Sequence, residues 1–488
     1  MILRKLLDLN QSQGRTFSLC LLESLSLSSY FSRFSIFLPK HLPQNSPSRI
    51  FHAFNQKYSE VDDFVCTLAE QGYSHIQISP AQQSNPNNVN SNPNAPVNVW
   101  AGRYQPVSYR VIDGLGSEQD LKTLTDKAHS CKIKVIADVV FNHMASMNQY
   151  SSLTNFPDFP DPNARDVRKN GSTYFHKQCD INYNDGNRST EVNCWLGGAL
   201  PDLNQNNSTV KQVQKAHLQK LLDLGIDGFR FDAAKHMPPE AIQEYISYIN
   251  QASNNQAWNY LEVIEDNDTS ATNYNFIAAV EDFVLYSSMK NAFTFGGDLR
   301  SLRVPVAIND SRSVVFGRNH DQIKRLNDDA LNAYDDETDS YLATAYVLAR
   351  QQGTPLIFGP DNLVPYIPAG VKFRRIMHER GKEGRNVKDN VLQVPDSKTV
   401  LMMERGSEGF FVVNKGLDKF NVQVMDLTLT NLEGCYRELR NNFTVAIERR
   451  ANNKKFVTRW GTWDRGGMEV QGRDAIYFIR EPFNQCAK

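Results

Sequence analysis

Four short segments carry charged and hydrogen-bonding side chains where buried strands ought to end. They are Asp138-Val-Val-Phe-Asn142-His143, Arg230-Phe-Asp232-Ala-Ala-Lys235-His236, Glu262-Val-Ile-Glu265 and Arg318-Asn319-His320-Asp321. A carboxylate on a buried strand costs free energy unless it is paired or used. Arg230 and Asp232 alternate with Phe229 and Phe231, so period two puts both charges on one face and both rings on the other. One such Arg–Asp couple reads as readily as an internal ion pair, whereas four polar ends converging on one rim read as a site. The chemistry they suggest is acid and nucleophile work by carboxylates. A retaining glycosidase needs two of them about 5–5.5 Å apart, one attacking and one donating a proton. Asp232, beside Arg230, is expected to stay ionised and suits the nucleophile. Glu262, between Leu261 and Val263, is the candidate for an acid kept protonated by burial. Asp321 is a third carboxylate, suited to sugar hydroxyls and to keeping Glu262 protonated. His143, His236 and His320 add hydrogen bonds to hydroxyls.

The elements that must position these groups repeat one rhythm, in which an amphipathic helix ends near Gly and a short apolar strand follows. Ser59-x-x-Asp62 and Ser117-x-x-Asp120 read as capping boxes opening two helices. Val210, Val213, His217, Leu221 and Leu224 line one face of a third helix, which Gly225 closes, and Tyr341 to Arg350 reads as a fourth. Strands are expected near residues 52, 77, 137, 230, 262, 282, 316 and 357, with the fifth, sixth and seventh spanning 260–264, 280–284 and 314–317. Such alternation implies parallel βα units. Eight strands over residues 48–390 suit a (β/α)8 TIM barrel, an α/β fold with catalytic groups at the C-terminal strand ends. A doubly wound open sheet is the alternative. Residues 84–98, rich in Asn and Pro, are expected as a loop. Residues 144–207 lack helical period and read as an inserted subdomain after strand three. Residues 391–488 change texture to short strands with polar turns, expected as an all-β sandwich.

Bulk composition narrows the function classes. Of 488 residues, 40% are hydrophobic and 22% charged, ordinary for a globular chain. Lys plus Arg is 53 against 54 for Asp plus Glu, a net charge of −1 that argues against a nucleic-acid binder. No run of about 18 apolar residues suggests a membrane span. Seven Cys make at least one unpaired, and Cys179 and Cys194 are close enough in sequence to close a small loop. Residues 1–47 read as an extension without a standard secretory signal. Asp8, Asn10, Gln11, Gln13 and Arg15 break the first apolar run, and Glu23 the second.

The four polar segments resemble the four signature regions of the α-amylase family of retaining glycoside hydrolases, in the right order. Trp100-Ala-Gly-Arg-Tyr104-Gln105-Pro-Val-Ser-Tyr109 is similar to the segment after strand two of animal-type members, and Leu200-Pro-Asp202-Leu-Asn204 to a motif of the inserted domain. The resemblance covers residues 48 to 480. It implies Asp232 as nucleophile, Glu262 as general acid/base and Asp321 as transition-state stabiliser. It implies Arg230, His143 and His320 around the cleavage subsite, Trp100, Tyr104 and Gln105 as sugar contacts, and Lys235 and His236 on the leaving-group side. It also implies a structural Ca²⁺ held by Asn142, Asp202 and the main-chain carbonyl of His236. Asp138 matches as an orienting buried acid. Two departures stand out. The chloride of animal-type members would find Arg230 and Asn319 but only Leu356 in place of a third, basic ligand, which argues against chloride dependence. A pair of Trp becomes Trp100-Ala101 here.

The expected function is endo-hydrolysis of α-1,4 bonds in starch- or glycogen-type glucans by a monomer. The alternatives are an exo-acting, malto-oligosaccharide-specific or transglycosylating relative, and a non-catalytic carbohydrate-binding barrel. The last is disfavoured because Asp232, Glu262 and Asp321 are all present. A polymeric substrate, Ca²⁺ and a disulfide favour an extracellular or exported setting, and the missing standard signal leaves the cytoplasm as the alternative.

Overall fold

The computed structural model describes residues 48–486, apart from 86–100, 147–155, 161–166, 185, 187, 309–311, 324–332, 394–395, 423, 426–429, 450–454 and 460–467. Eight strands, all paired in parallel, close into a barrel in chain order. They span Ile50–Ala53, His75–Ile78, Lys134–Val140, Gly228–Asp232, Trp258–Leu261, Ala279–Glu281, Ser313–Val315 and Thr354–Phe358. Closure excludes the doubly wound alternative, because strands one and eight pair directly, Ile50 beside Leu356.

Strands five, six and seven are shorter than expected and begin one or two residues earlier. Glu262 therefore lies just past strand five, where its main-chain N–H still donates to the Phe231 carbonyl at 3.0 Å. The first capping box also shifts. The helix Tyr58–Gln71 starts after Lys57, whose N–H donates to Glu60 Oε2 at 3.0 Å, so Ser59 lies inside the first turn. At Ser117 the box is as expected, with Asp120 N–H donating to the Ser117 hydroxyl at 3.2 Å and the Asp120 carboxylate accepting from Ser117 N–H at 2.8 Å.

The alternation in strand four holds. Phe229 and Phe231 face outward, and Phe231 stacks at 6.4 Å on Tyr245 of the helix Pro239–Ala252. The strand opens with Gly228 because a β-carbon there would lie 1.9 Å from the Trp258 carbonyl oxygen on strand five. Facing aromatics fill the shell between strands and helices, among them Phe141 against Tyr245 at 5.3 Å.

The segment expected to lack helical period contains two short helices, Val167–Asn170 and Ser189–Asn193. It is tied back to the barrel by the isolated bridge of His143 to Asp202, while the bridge of Phe175 to Leu203 and the Cys179–Cys194 disulfide lie within it. Two further disulfides have no sequence signature. Cys66–Cys131 joins the helices after strands one and two, and Cys435–Cys486 lies in the C-terminal domain. The seventh, Cys20, lies outside the described residues. The C-terminal domain departs from a balanced sandwich. It is one eight-stranded antiparallel sheet starting at Asp389–Val391, with a two-stranded sheet, Phe420–Val422 and Met468–Val470, packed against it. Val422, Met468 and Val470 share its core with Met402, Phe410 and Val412. The expected loop at 84–98 falls outside the described residues beyond Asn85, and Gln82–Ser84 is a short strand paired to Pro106–Ile112.

At the N-terminal end of the barrel, His75 opens strand two and is 4% exposed. Burial, aided by Lys134 and Arg49, pushes its pKa down to about 3. The unfolded chain therefore takes up a proton below the ordinary histidine value of about 6.5 that the folded chain refuses. This makes a stability contribution that is present above pH ~6.5 and lost as the pH falls toward about 3. Comparison of urea unfolding for the wild-type protein and His75→Gln at pH 7 and pH 5 isolates it. The stability difference should move in favour of the variant by on the order of 2 kcal/mol at the lower pH. Parallel pH profiles would show that His75 is not held neutral.

Candidate active site

Arg230 projects from strand four into the barrel mouth, 1% exposed, and four carboxylates close around its guanidinium. Its Nη1 lies 2.9 Å from Asp138 Oδ2 and 2.8 Å from Asp232 Oδ1. Its Nη2 lies 2.7 Å from Glu262 Oε1, and its Nε 3.1 Å from Glu281 Oε1. The register explains the convergence, since Asp138 is the cross-strand neighbour of Arg230, and Asp232 follows two residues along on the same face. One guanidinium cannot balance four ionised carboxylates in a buried site, so the cluster holds protons and titrates as a unit. Burial raises Asp138 to about 6 and Glu281 to about 7, against the pull of Arg230. Asp232 is raised by burial and then by Glu262, with Arg230 opposing. This corrects the expectation that Arg230 alone keeps Asp232 ionised, because the guanidinium is shared.

Glu262 is held at both oxygens. Oε1 meets Arg230, and Oε2 accepts from the Ala233 main-chain N–H at 2.8 Å. Ala233 directs that N–H from a left-handed backbone, φ +47°, a conformation disfavoured for a residue with a β-carbon. Asp321 is raised by burial and by Glu262, to which its carboxyl is hydrogen-bonded. Its main-chain N–H is capped by Asn319 Oδ1 at 2.9 Å.

These groups open on a cavity of about 540 Å³ at the C-terminal end of the barrel, which Asp232, Glu262, Asp321, Tyr104, Gln105, His143, Lys235, His236 and His320 all line. Tyr104 donates from its hydroxyl to Asp138 Oδ2 at 3.0 Å, and its ring stacks on His320 at 5.1 Å. His320 is sandwiched against Phe54 on another side at 4.6 Å, and burial holds it neutral. His143 Nε2 lies 3.0 Å from the Tyr104 carbonyl, and burial lowers its pKa to about 4. Gln105 Oε1 accepts from Asn85 Nδ2 at 3.1 Å and Ser146 N–H at 3.2 Å, so that oxygen ties loops together. Lys235 pairs with Asp266 and sits 4.4 Å over the Tyr183 ring. Trp100 lies outside the described residues. Two residues of the polar segments turn away. Arg318 pairs with Asp361 at 2.6 Å, and Glu265 accepts from Ala271 N–H at 2.8 Å.

Sequence reasoning missed Glu281, Phe54, Tyr183 and Asp266. Glu281 had a signal, an acid inside the apolar run Ala278-Ala-Val-Glu-Asp-Phe283. Tyr183 had none, because only the return of the inserted segment brings it to the cleft.

Comparison with known proteins bears on this geometry. Residues 68–296 match the family described as alpha amylase, catalytic domain. An alpha-amylase of Aeromonas hydrophila is 31% identical over 410 residues, covering 75% of this chain and 84% of that protein. The chain belongs to the alpha-amylase family. It is a glycoside hydrolase of the kind that acts on α-glucans. The fold agrees with the crystal structure of alpha-amylase I from Eisenia fetida, with a TM-score of 0.68 at 20% identity over 88% of this chain and 98% of that one. A variant of that Eisenia fetida alpha-amylase in complex with maltohexaose scores 0.66, also at 20% identity, over 90% and 98%.

Two ion sites that the alpha-amylase family implies meet different surroundings here. Arg230 Nε and Asn319 Nδ2, the latter at 3.3 Å, both face the Glu281 carboxylate, and Leu356 is buried in strand eight. A carboxylate of the chain thus occupies the two groups that a chloride would use. For Ca²⁺ the donor chemistry fits. Asn142 and Asp202 are both fully buried on adjoining backbone, Leu203 N–H donating to the Asn142 carbonyl at 2.9 Å, and amide, carboxylate and carbonyl oxygens are hard donors. Sequence reasoning missed one partner there. His176 Nδ1 lies 2.6 Å from Asp202 Oδ2, while burial raises the Asp202 carboxyl to about 7. The His236 ring is turned to the Glu191 carbonyl at 3.0 Å.

Glu281 shares Arg230 with Asp232 and Glu262 and adds negative charge to the cluster above about pH 7. Glu281→Gln removes that charge while keeping hydrogen-bonding capacity toward Arg230 and Asn319. The alkaline limb of the activity profile on soluble starch should then move to lower pH, by up to about one unit. An unchanged limb would separate Glu281 from the titrating cluster.

Proposed function

We propose that this protein hydrolyses internal α-1,4-glucosidic bonds of starch- or glycogen-type glucans with retention of configuration. The observation that carries the reading is the pair Asp232 and Glu262 on one guanidinium, bonded to its two terminal nitrogens. Two carboxylates so bridged suit the short separation of about 5 Å that direct attack requires, with no room for a water between. Asp232 attacks the anomeric carbon as the glycosidic bond breaks, and the departing oxygen takes a proton from Glu262. Water then displaces Asp232, giving its proton to Glu262. Asp321 is hydrogen-bonded to Glu262, and burial together with Glu262 raises the Asp321 carboxyl. In its ionised form Asp321 would offset the oxocarbenium-like charge of the transition state. Tyr104 supplies an aromatic wall, and His143 and His320, both held neutral, offer hydrogen bonds to sugar hydroxyls. Maltohexaose in the Eisenia fetida structure supports an oligomeric α-glucan as the occupant of the cleft.

The reading extends to a structural Ca²⁺ held by Asn142, Asp202 and the His236 carbonyl, where it would pin the inserted segment to the barrel. Three disulfides, together with this ion, favour an oxidising compartment.

Asp232→Asn and Glu262→Gln should each lower turnover on soluble starch at least ~100-fold with little change in melting temperature. Near-wild-type turnover in either would overturn the assignment. The same assay followed early by product analysis should give mixed oligosaccharides, whereas a single small product from the start would favour an exo-acting relative. Chelation should lower the melting temperature, and Ca²⁺ at about 100 times its dissociation constant should restore about 2.7 kcal/mol. A melting temperature indifferent to both would remove the metal from the account.

A further inference from the structure

A second cavity, of about 680 Å³, lies at the opposite end of the barrel from the catalytic cleft. Its walls come from Ser48 before strand one, from Gly353 and Thr354 at the start of strand eight, from the helix Tyr366–Lys382 and from the C-terminal domain. Five lining residues carry positive charge, Arg374, Lys382, Arg385, Lys388 and Arg405, beside His378, which burial lowers to about 4, and none is Asp or Glu. In a chain whose net charge is −1, this is a local excess of positive charge.

The floor of the cavity is unusual. Arg374 and Arg405 are 7% and 2% exposed, yet the hydrogen bonds they make go to neutral main-chain carbonyls. Arg374 Nη2 donates to the carbonyls of Gln351 and Gly353, at 2.7 and 2.6 Å. Its Nη1 is buried without a hydrogen-bond partner. Arg49 stands behind, 6% exposed, its Nη1 equally unpartnered. Buried guanidinium groups without counter-charge are costly. The cost is visible in Arg374, which burial and then Arg405 push well below the ordinary arginine value. The nearby acids meet the rim rather than the floor, Glu383 pairing with Arg385 at 3.1 Å. Asp389 accepts from Gln351 N–H at 2.8 Å, and Glu408 faces Arg380 and Arg385 at 3.3 and 3.2 Å. Lys382 and Lys388 stand exposed at the mouth.

We propose that this cavity binds an oxyanion of the phosphate class, with Arg374 Nη1 as the donor at its floor and Lys382 and Lys388 as counter-charges at its mouth. Planar guanidinium donors match tetrahedral oxyanions, and a dianion satisfies a floor of two arginines better than a single carboxylate does. Ser48, Gln352 and Asn386 on the wall add polar groups for a phosphate ester of a sugar. The site is separate from the catalytic cleft and does not depend on the reaction assigned there.

Calorimetric titration of the full chain at pH 7.5 tests it with two probes, sodium orthophosphate and glucose 6-phosphate, each at ionic strength matched with NaCl. Saturable binding of either probe is expected. A ratio of affinities above about tenfold for the ester identifies a sugar phosphate as the ligand, and equal affinities identify the free anion. Lys382→Ala combined with Lys388→Ala should weaken binding at least tenfold while leaving kcat on starch unchanged. Arg374→Met should abolish it, and because Arg374 also ties Gln351 and Gly353 the lysine variants keep the test valid if that protein does not fold. No saturable heat above the NaCl control, or binding undiminished in the lysine variants, would overturn the proposal.

Discussion

Everything at the catalytic rim depends on one buried positive charge. Arg230 is the shared partner of Asp138, Asp232, Glu262 and Glu281, carried on strands three, four and six and on the loop after strand five. Without the guanidinium these acids would repel one another in a site from which water is largely excluded. With it, they are oriented, but their charges are not fully balanced. That residual imbalance is useful. It makes the group hold protons near neutrality, the property that the proposed acid and nucleophile roles require of it.

The second constraint is how the barrel presents this cluster. Strand ends supply rigid anchors, and the loops beyond them supply walls. The inserted segment contributes Tyr183, Leu196 and Leu200 to the cleft, and it is held by the bridge of Asp202 to His143 and braced by its own disulfide. The stack of Phe54, His320 and Tyr104 spans three separate loops, so its order reports on closure of the whole rim. Tyr104 links that stack to the charge cluster through Asp138.

The two ends of the barrel solve the burial of charge in opposite ways. At the catalytic end, acids outnumber the one arginine, and protons settle the balance. At the other end, Arg49, Arg374 and Arg405 outnumber nearby acids, and main-chain carbonyls take most of their hydrogen bonds. Carbonyl oxygens satisfy donors but do not neutralise charge. The C-terminal domain is part of this second arrangement, since Arg405 donates to the carbonyls of Ala349 and Arg350 at the end of the last-but-one barrel helix.

Much of this was legible in the order of the residues. The recurrence of helix and apolar strand located four barrel strands and short apolar runs the other four, three of them one or two residues late, because period two and period 3.6 leave different marks. The alternation Phe229-Arg230-Phe231-Asp232 assigned inner and outer faces without coordinates. Asp232, Glu262 and Asp321 could be singled out because charge is conspicuous at the end of an apolar strand. Where strand five stops, how Lys57 rather than Ser59 precedes its helix, and which cysteines meet were not legible, since each depends on neighbours distant in the chain. The same holds for the protonation of the cluster. Sequence shows Arg230 beside Asp232, but only closure of the barrel brings Asp138, Glu262 and Glu281 to the same guanidinium. Local patterning determined which residues face inward. Tertiary structure alone decided how many charges share that space, because electrostatic energy depends on distances through the fold rather than along the chain.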